Sequence, residues 1–372
     1  MAVALIGVAT SIAAHAQTFT TLVNFNGTNG FGPLYESLVQ GMDGNFYGTT
    51  SGGGASHLGT IFVMTPQGVL NTLDSFNGTD GGYPYAGLMP APNGLLYGTA
   101  SYQGANGYGA IFRITPGGEL SMLHSFSSTD GAYPYAPLVR AVNGMLYGTT
   151  HEGGASGGGT IFQITPTGTL TTLHSFSGKD GALPCAALVQ GANGILYGTT
   201  QSGGTHDHGT IYSIALSGAF TTLYSFGAIP DGLAPQGALV EGAGGNLYGA
   251  TPSGGAGGYG TVFRITPAGI LTTLHSFENT DGSQPYGALV EGSDGNFYGT
   301  TFAGGANGDG TIFQMTPVGT LTTLHSFDGA GGSLPAGGLV QGADGSFYGT
   351  ASAGGANGAG TVFRLSIGLG PK

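Results

Sequence analysis

Apolar positions in this chain recur with a period of about fifty residues, far longer than a helical or strand period. Within the sixth period four short apolar segments follow one another, Gly287 to Val290, Asn296 to Thr301, Thr311 to Thr316 and Thr320 to Phe327. Three markers keep the register along the whole chain. The tetrad Tyr-Gly-(Thr/Ala)-(Thr/Ala) begins at Tyr47, Tyr97, Tyr147, Tyr197, Tyr248, Tyr298 and Tyr348. Gly-(Thr/Ala)-(Ile/Val)-(Phe/Tyr) begins at Gly59, Gly109, Gly159, Gly209, Gly260, Gly310 and Gly360. A run of the type Leu-His-Ser-Phe ends at Phe25, Phe76, Phe126, Phe176, Phe226, Phe277 and Phe327. Each marker therefore defines the same seven units.

Turn chemistry separates the segments, which we label strands A to D. Asp-Gly or Asn-Gly stands between A and B in six units, as at Asp294-Gly295, where both residues tolerate the positive φ of a tight hairpin. Thr-Pro-x-Gly stands between C and D in five, as at Thr316 to Gly319. Both connections read as hairpins, so each unit predicts an antiparallel four-stranded sheet. Adjacent apolar residues such as Ile312 and Phe313 break the inside/outside alternation, the pattern of a sheet covered on both faces. The phase of the chain then favours a closed ring over an open solenoid. A lone D strand, Phe19 to Phe25, precedes the first unit, and the last unit ends after a C strand, Gly360 to Ser366. Joining the two completes a seventh sheet and leaves no exposed edge. The expected fold is all-β, a seven-bladed β-propeller of four-stranded antiparallel blades over residues 17–372, closed by the N-terminal strand D with the C-terminal strands A to C.

The order of segments is similar to NHL-repeat propellers. More closely, Leu289 to Gly292, Gly295 to Thr301 and Gly310 to Phe313 resemble the GloVer tandem repeat, and the resemblance covers essentially the whole of residues 17–372. It implies an extracellular bacterial repeat protein and supplies no catalytic residues. Members often carry a C-terminal sorting anchor, whereas Gly368 to Lys372 show no such pattern. Kelch repeats have a similar length and a diglycine, but their tryptophan is missing.

Composition narrows the function classes. Six basic residues against eighteen acidic ones give a net charge of −12, which repels a phosphate backbone, so nucleic acid is not an expected partner. Cys185 is the only cysteine, so stability must come from packing and β-ladders. It occupies a position held by Tyr85, Tyr135 and Gln236 in other units, and reads as a substituted wall residue. Met1 to Ala16 are nearly all apolar or small and end in Ala14-His15-Ala16, the pattern of a secretory signal peptide. No Lys or Arg precedes the apolar stretch, which leaves a truncated or misassigned start open. No later segment approaches the about 20 apolar residues of a membrane span. A monomer is expected.

Candidate chemistry concentrates on one face. In a four-stranded blade the B–C and D–A connections emerge together, and here they are the long ones. Asp-Gly-x-x-Pro in five D–A loops places carboxylates such as Asp80, Asp130 and Asp281 near Tyr85, Tyr135 and Tyr286. Carboxylates beside rings suit sugar binding, the acid accepting hydroxyl bonds and the ring stacking on an apolar sugar face; the same Asp-Gly also shapes a turn by itself. The glycine-rich B–C loops lack the lysine and helix of a phosphate-binding loop. Two of them depart from the repeat, with His151-Glu152 in unit three and His206-Asp207-His208 in unit four. If these five side chains converged they would suit a divalent metal; otherwise they are polar surface substitutions, and no cofactor is expected. His124, His174, His275 and His325 recur at one strand D position, where a structural role is expected. The leading expectation is an extracellular or periplasmic, non-catalytic binding or scaffold module that recognises glycan or a cell-envelope component through the long-loop face. The alternative is a secreted propeller lyase or hydrolase with its site at the mouth of the ring, and a surface-layer role is a third reading.

Overall fold

A computed structural model describes residues 17–35, 37–227 and 230–370. The leader pattern, Met1 to Ala16, lies outside the described residues. Seven four-stranded antiparallel sheets form the blades of a β-propeller, and every described strand belongs to one of them. Blade 1 runs from strand A (Val39–Gln40) through B (Phe46–Thr50) and C (Thr60–Met64) to D (Leu70–Ser75). Blades 2 to 6 repeat this order. Blade 7 takes A, B and C from Val340–Gln341, Phe347–Ala351 and Thr361–Ser366, and D from Thr18–Asn24 at the other end of the chain. Propeller closure through both termini is thus as the phase of the repeats requires.

Strand A is shorter than its apolar run. In blade 6 only Val290 and Glu291 pair with Tyr298 and Phe297, while Gly287 and Ala288 leave the ladder. The reason is crowding at the axis: a Cβ on Gly287 would lie 2.6 Å from the carbonyl oxygen of Gly337 in the next blade. The backbone there packs against its neighbour rather than against strand B.

Blades adhere through rings. The phenylalanine that ends each strand D meets the ring in strand C of the next blade edge-on or tilted, with centroids 5.2–5.6 Å apart at all seven junctions, from Phe25–Phe62 to Phe327–Phe363. Edge-to-face pairs of this kind contribute about 0.5–1.5 kcal/mol beyond the area they bury. Each strand C ring also lies on the glycine of the tetrad in its own blade. A Cβ on Gly299 would fall 2.6 Å from Phe313 Cζ and 2.9 Å from Leu289 Cδ2, so this glycine is needed for close approach and not for its backbone angle. Buried clusters accordingly lie between blades, as where Tyr47, Ile61 and Phe76 of blade 1 meet Leu88, Leu96 and Phe112 of blade 2.

Polar groups follow the same economy. In five blades the fourth tetrad residue and the second residue of the next marker share a buried hydroxyl pair, Thr50–Thr60 at 2.8 Å being typical, and in blade 7, where Ala351 faces Thr361, the lone hydroxyl donates to Gly331 O. In blade 2 both are alanine, Ala100 facing Ala110, so no hydroxyl is orphaned. The tetrad tyrosine reaches the A–B turn, with Tyr47 Oη 2.8 Å from Asp43 and Tyr298 Oη 2.8 Å from Asp294.

The recurrent histidines have a specific role. His124, His174 and His275 bond the carboxylates of Asp130, Asp180 and Asp281 at 2.8–2.9 Å, tying strand D to the loop that follows it. The other four blades differ: blade 7 has Val23, and in blade 4 Tyr224 donates its Oη to Asp231. In blade 1 the position is Asp74, whose Oδ2 is buried without a partner and whose acidity is reduced by burial and by Asp80. In blade 6 His325 lacks a carboxylate at the equivalent of Asp80, which is Gly331, and instead stacks on Phe19 of the closing strand at 3.8 Å. Burial lowers the pKa of His325 from 6.5, against the weaker pull of Asp328.

Three outcomes are expected. Gly299→Ala overpacks the blade 6 junction and lowers unfolding free energy by about 1–3 kcal/mol in denaturant titration. Asp74→His installs the pair seen in three other blades and raises stability at pH 6 by about 0.5–1.5 kcal/mol. The depressed folded-state pKa of His325 means that its contribution is present above 6.5 and lost as pH falls through and below that value. His325→Val, which uses the residue found at this position in the closing strand as Val23, therefore loses less thermal stability between pH 7 and pH 5 than the parent chain does, as followed by circular dichroism.

Candidate functional site

The D–A loops of blades 1 to 6 deliver side chains to the mouth of the ring, and the proline in each loop shapes the approach. The residue before it has a left-handed backbone in every blade: Gly32, Tyr83, Tyr133, Leu183, Ala234, Gln284 and Leu334, with φ between 51° and 57°. For the six that are not glycine this conformation costs about 1–2 kcal/mol each. Two backbone bonds offset it. Tyr133 donates its N–H to Tyr108 O of the preceding blade and accepts from the N–H of His151 in its own blade, at 2.9 and 3.0 Å, and Leu183 repeats the arrangement with Gly158 and Gln201. Behind it the proline ring rests on the glycine of the preceding blade's third strand; a Cβ on Gly109 would lie 2.7 Å from Pro134 Cδ. In blades 2 to 6 the residue after the proline then lines the axial funnel, and in blade 1 the second residue after it, Tyr35, does.

These residues, with their neighbours in the B–C loops, line a funnel of about 580 Å³. Its wall carries Tyr35, Tyr85, Tyr135 and Tyr286 from the D–A loops, Cys185 and Gln236 at the same position of the two intervening loops, and Tyr102, His151 and Gln201 from the B–C loops. Small residues at the start of the A strands, among them Ser37, Gly287 and Gly338, narrow it where neighbouring backbones meet. Such a volume suits a small-molecule ligand.

The wall holds neutral groups. Burial and a bond to Tyr102 Oη push the Tyr135 hydroxyl well above its ordinary range. Burial pushes the Cys185 thiol up to about 12, and lowers the pKa of His151, with Glu152 and the carbonyl of Pro184 opposing. His151 Nδ1 is buried without a partner, and its ring lies 4.7 Å from that of Tyr135. No carboxylate, lysine or arginine lines the funnel among the described residues.

The residues singled out from sequence separate into two groups. Tyr85, Tyr135 and Tyr286 come together at the funnel. Asp80, Asp130 and Asp281 do not line it; each caps its own loop, accepting the N–H of Asn77, Ser127 or Glu278, and the last two also hold the strand D histidine. The five candidate metal ligands are not gathered. His151 faces the funnel wall and Glu152 is exposed, while His206 and Asp207 sit at an exposed loop tip where Asp207 accepts the N–H of Gly203 at 2.8 Å. No group of three or more His, Cys, Asp or Glu placed to hold a metal occurs among the described residues. Cys185 does stand in the wall. Tyr35, Tyr102, Gln201 and Gln236 line the funnel too, and comparison of units at these positions was the available signal: Tyr102 replaces the Gly, Glu, Ser or Ala found there in other blades.

Among solved structures the fold is similar to virginiamycin B lyase from Staphylococcus aureus, with 16% identity over 95% of this chain and 99% of that one and a TM-score of 0.65. It is also similar to a protein described as a 6-phosphogluconolactonase from Bacteroides uniformis, with 16% identity over 86% and 98% and a TM-score of 0.55. The extracellular domain of a protein described as a hybrid two component system from Bacteroides thetaiotaomicron is similar at 10% identity, over 91% of this chain and 40% of that one, with a TM-score of 0.60. At these identities the likeness concerns the propeller fold alone. No curated protein matches the chain in sequence. The model of the Gloeobacter/Verrucomicrobia repeat matches residues 6–193 and 144–363, together nearly the whole length. With seven such units closed into one ring, the chain belongs to the Gloeobacter/Verrucomicrobia repeat family.

Proposed function

We propose that this propeller is a secreted, non-catalytic binding protein that takes an uncharged saccharide in the axial funnel. The observation that carries the reading is the neutrality of an aromatic wall in a chain of net charge −12. Tyrosine rings offer flat apolar surface to the C–H face of a sugar, and their hydroxyls, Gln201, Gln236 and Ser37 offer neutral hydrogen bonds to its rim. Glycoside hydrolysis in its usual form needs two carboxylates flanking the bond, and the described wall contributes none, which favours binding without turnover. Secretion rests on the leader pattern of Met1 to Ala16.

The test is calorimetric titration of the chain with a panel of neutral mono- and oligosaccharides at pH 7, with product analysis after prolonged incubation. One class of neutral sugar is expected to bind and to be recovered intact. Tyr135→Ala is expected to weaken it about tenfold, while Tyr135→Phe, which keeps the ring, weakens it less. Chemical conversion of the sugar, or no binding across the panel, overturns the proposal.

A further inference from the structure

We infer that the funnel continues outward into a groove over blades 1 and 2, and that the two together take an unbranched, neutral oligosaccharide rather than a single sugar. This rests on the saccharide reading of the funnel and adds the length and direction of the ligand. The groove has a volume of about 430 Å³, and Phe31, Ser51, His57, Tyr83 and Tyr85 contribute to its wall. Tyr85 also lines the funnel, so the two cavities share a side chain. From it rings lead into the funnel, Tyr85 to Tyr102 at 6.1 Å and Tyr85 to Tyr135 at 5.5 Å, and Tyr83 of the groove lies 6.0 Å from Tyr102.

Sevenfold repetition does not account for this strip. A single bridge joins the D–A loop to the B–C loop in each blade, and in five of the seven it carries no aromatic residue. The exceptions are adjacent, Phe31–Gly52 in blade 1 and Gly82–Tyr102 in blade 2. In both, a ring faces a glycine, so the ring has room and the bridge is kept. Phe31 is 52% exposed although its backbone is held by two bonds to Gly52 at 2.9 and 3.0 Å. Phe31 is not isolated, since Tyr83 and Tyr85 line the same cavity, and apolar surface gathered at a groove marks a contact site.

The chemistry of the occupant follows from what lines the track. The described groove wall has no lysine, arginine or carboxylate, and the net charge of −12 repels a polyanion. Rings on the walls of both cavities, with hydroxyl, amide and imidazole groups beside them, match a chain of sugar units that presents an apolar face and a hydroxyl rim at each step.

The experiment is calorimetric titration of the full chain with glucose and with the β-1,4-linked and α-1,4-linked glucose oligomers of two to six units. For one series the affinity is expected to rise about tenfold or more from the single sugar to the longer oligomers. Phe31→Ala is expected to return the oligomer affinity to that of glucose, while Val318→Ala, in an exposed turn of the opposite face, changes neither. Affinity independent of length, or an oligomer gain untouched by Phe31→Ala, overturns the groove and leaves the funnel reading standing. Failure of every sugar to bind overturns both.

Discussion

One contact, repeated seven times, sustains the molecule: an aromatic ring in the third strand of each blade, pressed onto the tetrad glycine beneath it and met by the phenylalanine that ends the preceding blade. A ring can sit that close only where no Cβ intervenes, and a blade can bury both faces only if it has a neighbour on each side. Stability is therefore held between blades more than within them. The hydrogen bonds of a two-residue inner strand are too few to define a blade alone; the junctions supply the remainder.

Closure follows from that dependence. An open array would leave a ring of the first blade and a ring of the last unpartnered in water. Pairing Thr18–Asn24 with Thr361–Ser366 places Phe25 on Phe62 and so makes the seventh junction like the other six. The same joint is reinforced on both faces: Gly32 donates to Ala359 O on the funnel side, and Gln40 accepts the N–H of Ala343 on the other.

A scaffold so uniform leaves its loops free to differ, and function resides in the differences. The left-handed residue before each proline is present in every blade, so the loop turns at the same point each time, and in blades 2 to 6 the side chain after the proline reaches the funnel. Its identity varies. Tyrosine at three of these positions and at Tyr35 one residue further on in blade 1, with cysteine and glutamine at two others, makes a wall that is aromatic in one sector and small or polar in another. A symmetric ring thereby acquires an oriented site.

Strand type, blade number, ring closure and the long-loop face were legible in the chain because each is written seven times in local turn chemistry and apolar spacing. The wall position of Cys185 and the gathering of Tyr85, Tyr135 and Tyr286 were legible for the same reason, as equivalent residues of equivalent loops. The roles of Asp80, Asp130 and Asp281 were not, since a carboxylate five residues before a tyrosine reads alike whether it faces a ligand or its own turn; only the fold brings His124 and His275 within 2.9 Å of Asp130 and Asp281 and turns those two carboxylates inward to the loop. His151 and His206 are likewise close in repeat number yet separate in space, one on the axis and the other at a loop tip. Periodicity, a local property of the chain, determined the architecture. Tertiary structure decided which of the repeated polar groups spend their hydrogen bonds on the scaffold and which are left for a ligand, because that choice depends on contacts between residues far apart in sequence.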